Sequence, residues 1–173
     1  MPYATSLELV VAFGAKELAE LSTPERFDVV TQERLELAIE GTAPVTGDAD
    51  ENALEAAIDA INAALAVADS IVDSYIATRY TLPLAVTPVS LRKRTLDLAR
   101  YELMDQRATE SAEKRRDDAI AWLKGIAAGT VLLGDKAIDS GAGSDAGIKG
   151  VTTLGQKFSN IKDSTGFDGY GFI

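Results

Sequence analysis

"LEAAIDAINAALAVADSIVDSY", residues 54–75, decides how the chain folds. Apolar side chains recur at Leu54, Ile58, Ile61, Leu65, Ala68, Val72 and Tyr75. The steps alternate between four and three residues, which places all seven on one face of a helix. Four acids, Glu55, Asp59, Asp69 and Asp73, form a neighbouring stripe. A seam this regular buries itself, but periodicity alone does not say whether it packs within one subunit or between two. The helix runs on into "IVDSYIATRYTLPL", residues 71–84, where Pro83 forces a stop.

Outward from this helix the pattern stays helical. "TSLELVVAF", residues 5–13, opens with Thr5 three residues before Glu8, a capping box ahead of an apolar run. Gly14 stops that helix and "AKELAEL" starts a short second one. "STPE", residues 22–25, repeats the start signal, with Pro24 early in a possible helical turn. "TQERLELAIEG" offers a third helix ending at Gly41, and "GTAPVTGDADE", residues 41–51, reads as a loop. After Pro88, "VSLRKRTLDLARYELMDQRAT" carries Leu91, Leu98 and Leu103 on its apolar side. Thr109 caps the last helix, "ESAEKRRDDAIAWLKGIAAG", with Ala112, Ala119, Ile120, Leu123 and Ile126 inward and Trp122 partly buried. "TVLLG" follows as a short extended piece. The expected fold is all-α: a small bundle with long central antiparallel helices over residues 1–133.

Beyond residue 133 the composition shifts. Nine of the fourteen glycines lie in 134–173, and "DSGAGSDAG" is linker-like. Four aromatics, Phe158, Phe167, Tyr170 and Phe172, sit in the last sixteen residues. Aromatics in a Gly-rich arm suit docking to a partner, so residues 134–173 are expected to form an extended arm.

Composition bounds the chemistry. The 173 residues contain no cysteine and no histidine. That removes disulfides, thiolate chemistry, the commonest general base and the commonest zinc ligand. No phosphate loop, dinucleotide fingerprint or nucleophile elbow is present. Asp117-Asp118 and Asp48/Asp50/Glu51 lack calcium-loop spacing. No cofactor or metal, and no catalysis, is expected. No apolar run is long enough to span a membrane, and the first twenty residues do not read as a signal peptide. The expectation is synthesis in the cytoplasm.

The net charge of −10 is uneven. Residues 1–70 carry 14 acids and 3 bases, whereas residues 71–124 carry 8 acids and 10 bases. Tight nucleic-acid binding is not expected of such a chain. The acidic half serves solubility, or is a surface that passes DNA without holding it. Arg92, Lys93 and Arg94 oppose the dipole at their helix start. They meet the acidic stripe or an acidic neighbour, or else face a phosphate backbone. Tyr75, Arg79, Tyr80, Arg100 and Tyr101 are expected to lock the two central helices at their corner.

Several stretches together resemble a family of small proteins of Mu-like phages and prophages. They are "MPYATSLELVVAFGAKELAELS", "IVDSYIATRYTLPL", "LRKRTLDLARYEL", "DDAIAWLKGIAAGTVLLG" and "KFSNIKDSTGFDGYGF". Residues 23–50 depart from the family pattern as a longer insertion. The resemblance implies a head–tail connector, or adaptor, of the phage neck. Such a protein forms a ring, generally twelve-fold, beneath the portal protein. It extends the DNA channel without specific DNA binding and meets a downstream neck or tail-completion protein. On that basis the virion neck is the expected location. The aromatic arm would dock on the portal or a neighbour, and the acidic stripe with Arg92, Lys93 and Arg94 would serve lumen or intersubunit contacts. Two other readings compete: an acidic DNA mimic that blocks a host enzyme, and a small hydrolase using paired carboxylates.

Overall fold

The computed structural model describes residues 2–42 and 49–134, which lie within one unit, Met1–Gly143. Among them are six α-helices and no strand: α1 Ser6–Phe13, α2 Ala15–Ser22, α3 Gln32–Ile39, α4 Ala49–Ile76, α5 Val89–Met104 and α6 Glu110–Ala128. A 3₁₀ turn, Asp105–Arg107, joins α5 to α6. The all-α expectation holds for these residues. The proposed arm, with Phe158, Phe167, Tyr170 and Phe172, lies outside them.

The helix ends obey local chemistry. Thr5 Oγ1 accepts the Glu8 N–H at 3.2 Å, and Glu8 Oε2 accepts the Thr5 N–H at 2.9 Å, a complete capping box. Thr31 and Thr109 cap α3 and α6 in the simpler one-sided way. Gly129 ends α6 in the left-handed region, φ +78°, where a side chain is strained. One boundary moves. Pro24 begins only a turn, with the Phe27 N–H donating to its carbonyl at 3.0 Å. The α5 helix also stops at Met104, earlier than Thr109, because Asp105 takes φ +45°.

The seam of α4 answers the question its spacing left open. Leu54, Ile61, Leu65, Ala68 and Val72 are buried within the chain itself, and Ile58 and Tyr75 pack at the margin of the same core. The facing side chains come from every other helix. They include Leu9, Leu18, Leu35, Leu91, Leu123 and Ile126, all fully buried. The seam is therefore closed by α5, α6 and the N-terminal helices. It is not left open for a second subunit. Each such burial contributes roughly 1.5–3 kcal/mol.

Residues 23–42 also differ from a looped-out insertion. Leu35 is fully buried and Val30 nearly so. The Thr23 hydroxyl donates to the Ala19 carbonyl at 2.7 Å and accepts the Val30 N–H at 3.3 Å. The described part of this segment supplies core.

Candidate interaction surfaces

The corner after α4 is built from α4 and α6. Arg79 and Tyr80 both donate backbone N–H groups to the Ile76 carbonyl, at 3.0 and 2.9 Å. Their side chains then reach the C-terminal end of α6. The Tyr80 hydroxyl accepts the Leu133 N–H at 3.0 Å. The Arg79 guanidinium lies so close to Gly129 that a Cβ there would collide with Nη1. A cation at a helix C-terminus is favourable, because it faces the negative end of the dipole. The Leu82-Pro83 bond is cis, and Leu84 is buried beyond it.

Arg100 and Tyr101 do not join this corner, which corrects the expected five-residue lock. Arg100 turns to α2, where Nε donates to Glu17 Oε1 at 2.6 Å and Nη2 makes an ion pair with the same oxygen at 2.6 Å. Its guanidinium also covers the Phe13 ring, 4.7 Å from the centroid. Tyr101 instead receives Arg116 of α6 on its ring face at 5.2 Å. Tyr75 closes the seam from the core margin. The five residues thus tie α4 to α6, α5 to α2 and α5 to α6 separately.

The basic start of α5 is likewise divided. Arg92 Nη1 pairs with Glu8 Oε1 of α1 at 3.0 Å, so its acidic partner is α1 and not the α4 stripe. Lys93 is exposed and Arg94 half-buried. Both lie near Asp97, whose buried carboxylate is 3.8 Å from Arg115. Burial pushes the Asp97 carboxyl above its ordinary value, and the surrounding cations Arg115, Lys93, Arg94 and Arg100 pull the other way.

The acidic stripe splits in two. At its C-terminal end, Asp69 Oδ1 accepts the Tyr3 backbone N–H at 3.1 Å, and Asp73 accepts the Tyr3 hydroxyl in a short hydrogen bond. Tyr3 is buried, so these two acids anchor the N-terminal segment and are in part covered by it. An open cleft of about 490 Å³ remains beside them, lined by Tyr3, Asp73, Leu82 and Pro83. Asp69 is raised above its ordinary value by burial, against the lowering effect of the Tyr3 N–H. At the N-terminal end, Glu55 and Asp59 are exposed and line a second cleft with Arg26, Phe27, Asn52 and Ala56. Sequence reasoning missed Tyr3 and Glu17 as partners. The i,i+4 spacing of Asp69 and Asp73 was the available signal that one group would bridge both.

The Tyr3 anchor has a pH signature. Burial, and next its hydrogen bond to Asp73, raises the phenol above its ordinary value of about 10. A raised folded value means the contribution is complete below pH ~10, where both states are protonated. It is then lost as the pH rises, because the unfolded chain ionises first. Denaturant midpoints between pH 8 and 11 should therefore fall less steeply in Tyr3→Phe than in the parent. Parallel curves would contradict the buried phenol.

Among the described residues, no group of three or more His, Cys, Asp or Glu could hold a metal ion. No described helix is long and apolar enough to cross a membrane. The arrangement is a helical bundle whose polar side chains bridge elements. Its matches place it among phage proteins: the chain belongs to the family described as "Bacteriophage Mu, Gp36", which matches residues 3–149. It is similar to the "Mu-like prophage FluMu protein gp36" of Haemophilus influenzae, 35% identical over 88 residues, which are 49% of this chain and 62% of that one. It is also similar to "Gene product J" of Escherichia phage Mu, 31% identical over 97 residues, which are 56% of this chain and 62% of that one. The matched stretch therefore spans less than two thirds of either relative.

Proposed function

We propose that this chain is a structural head–tail connector, or adaptor, acting without catalysis as a ring beneath the portal of a tailed phage. The observation that carries this is the use of its polar cluster. Arg79, Tyr80, Arg100, Tyr101, Tyr3, Asp69 and Asp73 each bridge two elements of the bundle, and the chain belongs to a Mu phage family. A rigid small bundle suits a spacer repeated around a DNA channel. The ring is expected to be about twelve-fold, by the resemblance noted above. DNA would pass its lumen without specific contacts, since the chain is acidic overall. The partners would be further copies, the portal and a downstream neck or tail-completion protein. The exposed Glu55 and Asp59 remain available for the lumen or a neighbour, whereas Asp69 and Asp73 serve the N-terminal anchor.

Mass spectrometry of purified particles tests the role. The chain should be present in stoichiometric amount in mature particles. Its absence there would end the connector reading and favour an acidic DNA mimic. Deleting residues 150–173, which hold the four aromatics, should leave the bundle's melting temperature nearly unchanged while preventing attachment to portals. Normal portal occupancy by the truncated chain would exclude the arm as the docking element.

A further inference from the structure

Two exposed faces of the bundle match each other. On α1, Leu7 and Val11 are 47% and 80% exposed and lie one turn apart, opposite the fully buried Leu9. The only charge on this helix, Glu8, is paired with Arg92 of α5. One turn before Arg92, Val89 is 78% exposed, and on the helical wheel it falls between Arg92 and the exposed Lys93. The result is an apolar strip whose unbalanced charge is Lys93, since Arg92 is paired with Glu8. A helix as apolar all round as α1 is ordinarily covered on both sides.

The second face lies after α2. Phe27 is half-buried, and Val29 is 57% exposed. Phe27 lines the cleft that Glu55 and Asp59 share, and Asp28 beside it is exposed. Arg26 lines the same cleft and lies over the Phe27 ring, 4.8 Å from its centroid, so the edge of this apolar centre carries three acids, Asp28, Glu55 and Asp59, against one base. Centre and rim are thus alike in kind and opposite in sign, which is the usual anatomy of a specific interface.

We infer that copies of this chain meet head to tail, with the Leu7/Val11/Val89 face of one copy on the Phe27/Val29 face of the next, steered by Lys93 against Glu55 and Asp59. This rests on the ring reading and names its intersubunit contact. Charge selects the occupant. An acidic partner would suit the first face and be repelled by the second, and nucleic acid likewise. A second copy covers both at once. In a chain of net charge −10, such copies otherwise repel, so contact is confined to where opposite edges meet. Two different surfaces make the contact heterologous, the kind that closes into rings.

Charge exchange tests it, read by sedimentation velocity of the full chain over a concentration series at low salt. The parent should self-associate. Lys93→Glu alone, and Glu55→Lys with Asp59→Lys, should each weaken association about tenfold or more, and combining all three should restore it. Val11→Asp should abolish it. The variants at Val11, Glu55 and Asp59 should melt within about 2 °C of the parent, since those sites are exposed, and Lys93→Glu should melt lower, because it removes a cation that offsets the burial of Asp97. A parent that stays monomeric, reversals without effect, or no recovery in the combination would overturn the contact. The connector role is judged separately, by presence in particles, so either idea can fail alone.

Discussion

Ile61→Ala is expected to destabilise the bundle by about 2–5 kcal/mol, the range for emptying a fully buried aliphatic site. Ile61 has no exposed surface and sits mid-seam on α4, facing the other helices of its own chain. The surrounding helices are held by their own packing and close the gap only in part. For a bundle of this size the melting temperature should drop by roughly 10 °C. Ile58, on the same seam but at the core margin, should cost only about 1 kcal/mol when cut to Ala. The contrast is diagnostic. A seam closed within the chain makes Ile61→Ala lower the melting temperature of the monomer. A seam shared between copies would leave the monomer's melting temperature alone and change its association instead, and that outcome would contradict the packing described above.

Arg100→Ala should be the most costly polar truncation, at about 2 kcal/mol. Its side chain is 15% exposed, and it donates from Nε to a Glu17 oxygen at 2.6 Å, with Nη2 paired to the same oxygen, while covering Phe13. Charge-assisted hydrogen bonds contribute roughly 1.5–3 kcal/mol and an aromatic contact about 0.5–1. The Glu17 side chain is 34% exposed, and solvent screening lowers the sum. Arg100→Lys should recover less than half, because an ammonium supplies no fork and no planar face for the ring. A double-mutant cycle with Glu17→Gln isolates the pair. Coupling of about 1 kcal/mol is expected, and coupling below about 0.3 kcal/mol would assign the effect to Phe13 packing instead.

The legible parts of this chain were those governed by near neighbours. Thr5 and Thr109 marked two helix starts, and Gly14 and Gly129 marked two ends, because a cap is satisfied within four residues. The inner faces of α4 and α6 followed from spacing. The candidate contacts were less legible. Arg100 lies 83 residues from Glu17 and Tyr3 lies 70 from Asp73, and no local pattern encodes a meeting over that distance. Arg79 and Tyr80 were rightly placed at a corner, but their partners were sought on α5. The chain instead returns at Gly129 and Leu133 to the point where α4 ends.

By itself the sequence determined that the described residues are helical, most of their helix starts and their apolar faces, because the 3.6-residue period and the caps are short-range chemistry. Only the tertiary structure decided which faces meet. It closed the α4 seam inside one chain, gave Asp69 and Asp73 to Tyr3, and left Glu55 and Asp59 exposed at the other end of the same helix. A helix surface looks the same in sequence whether a neighbour covers it or water does. The crossing of helices far apart in the chain makes that difference.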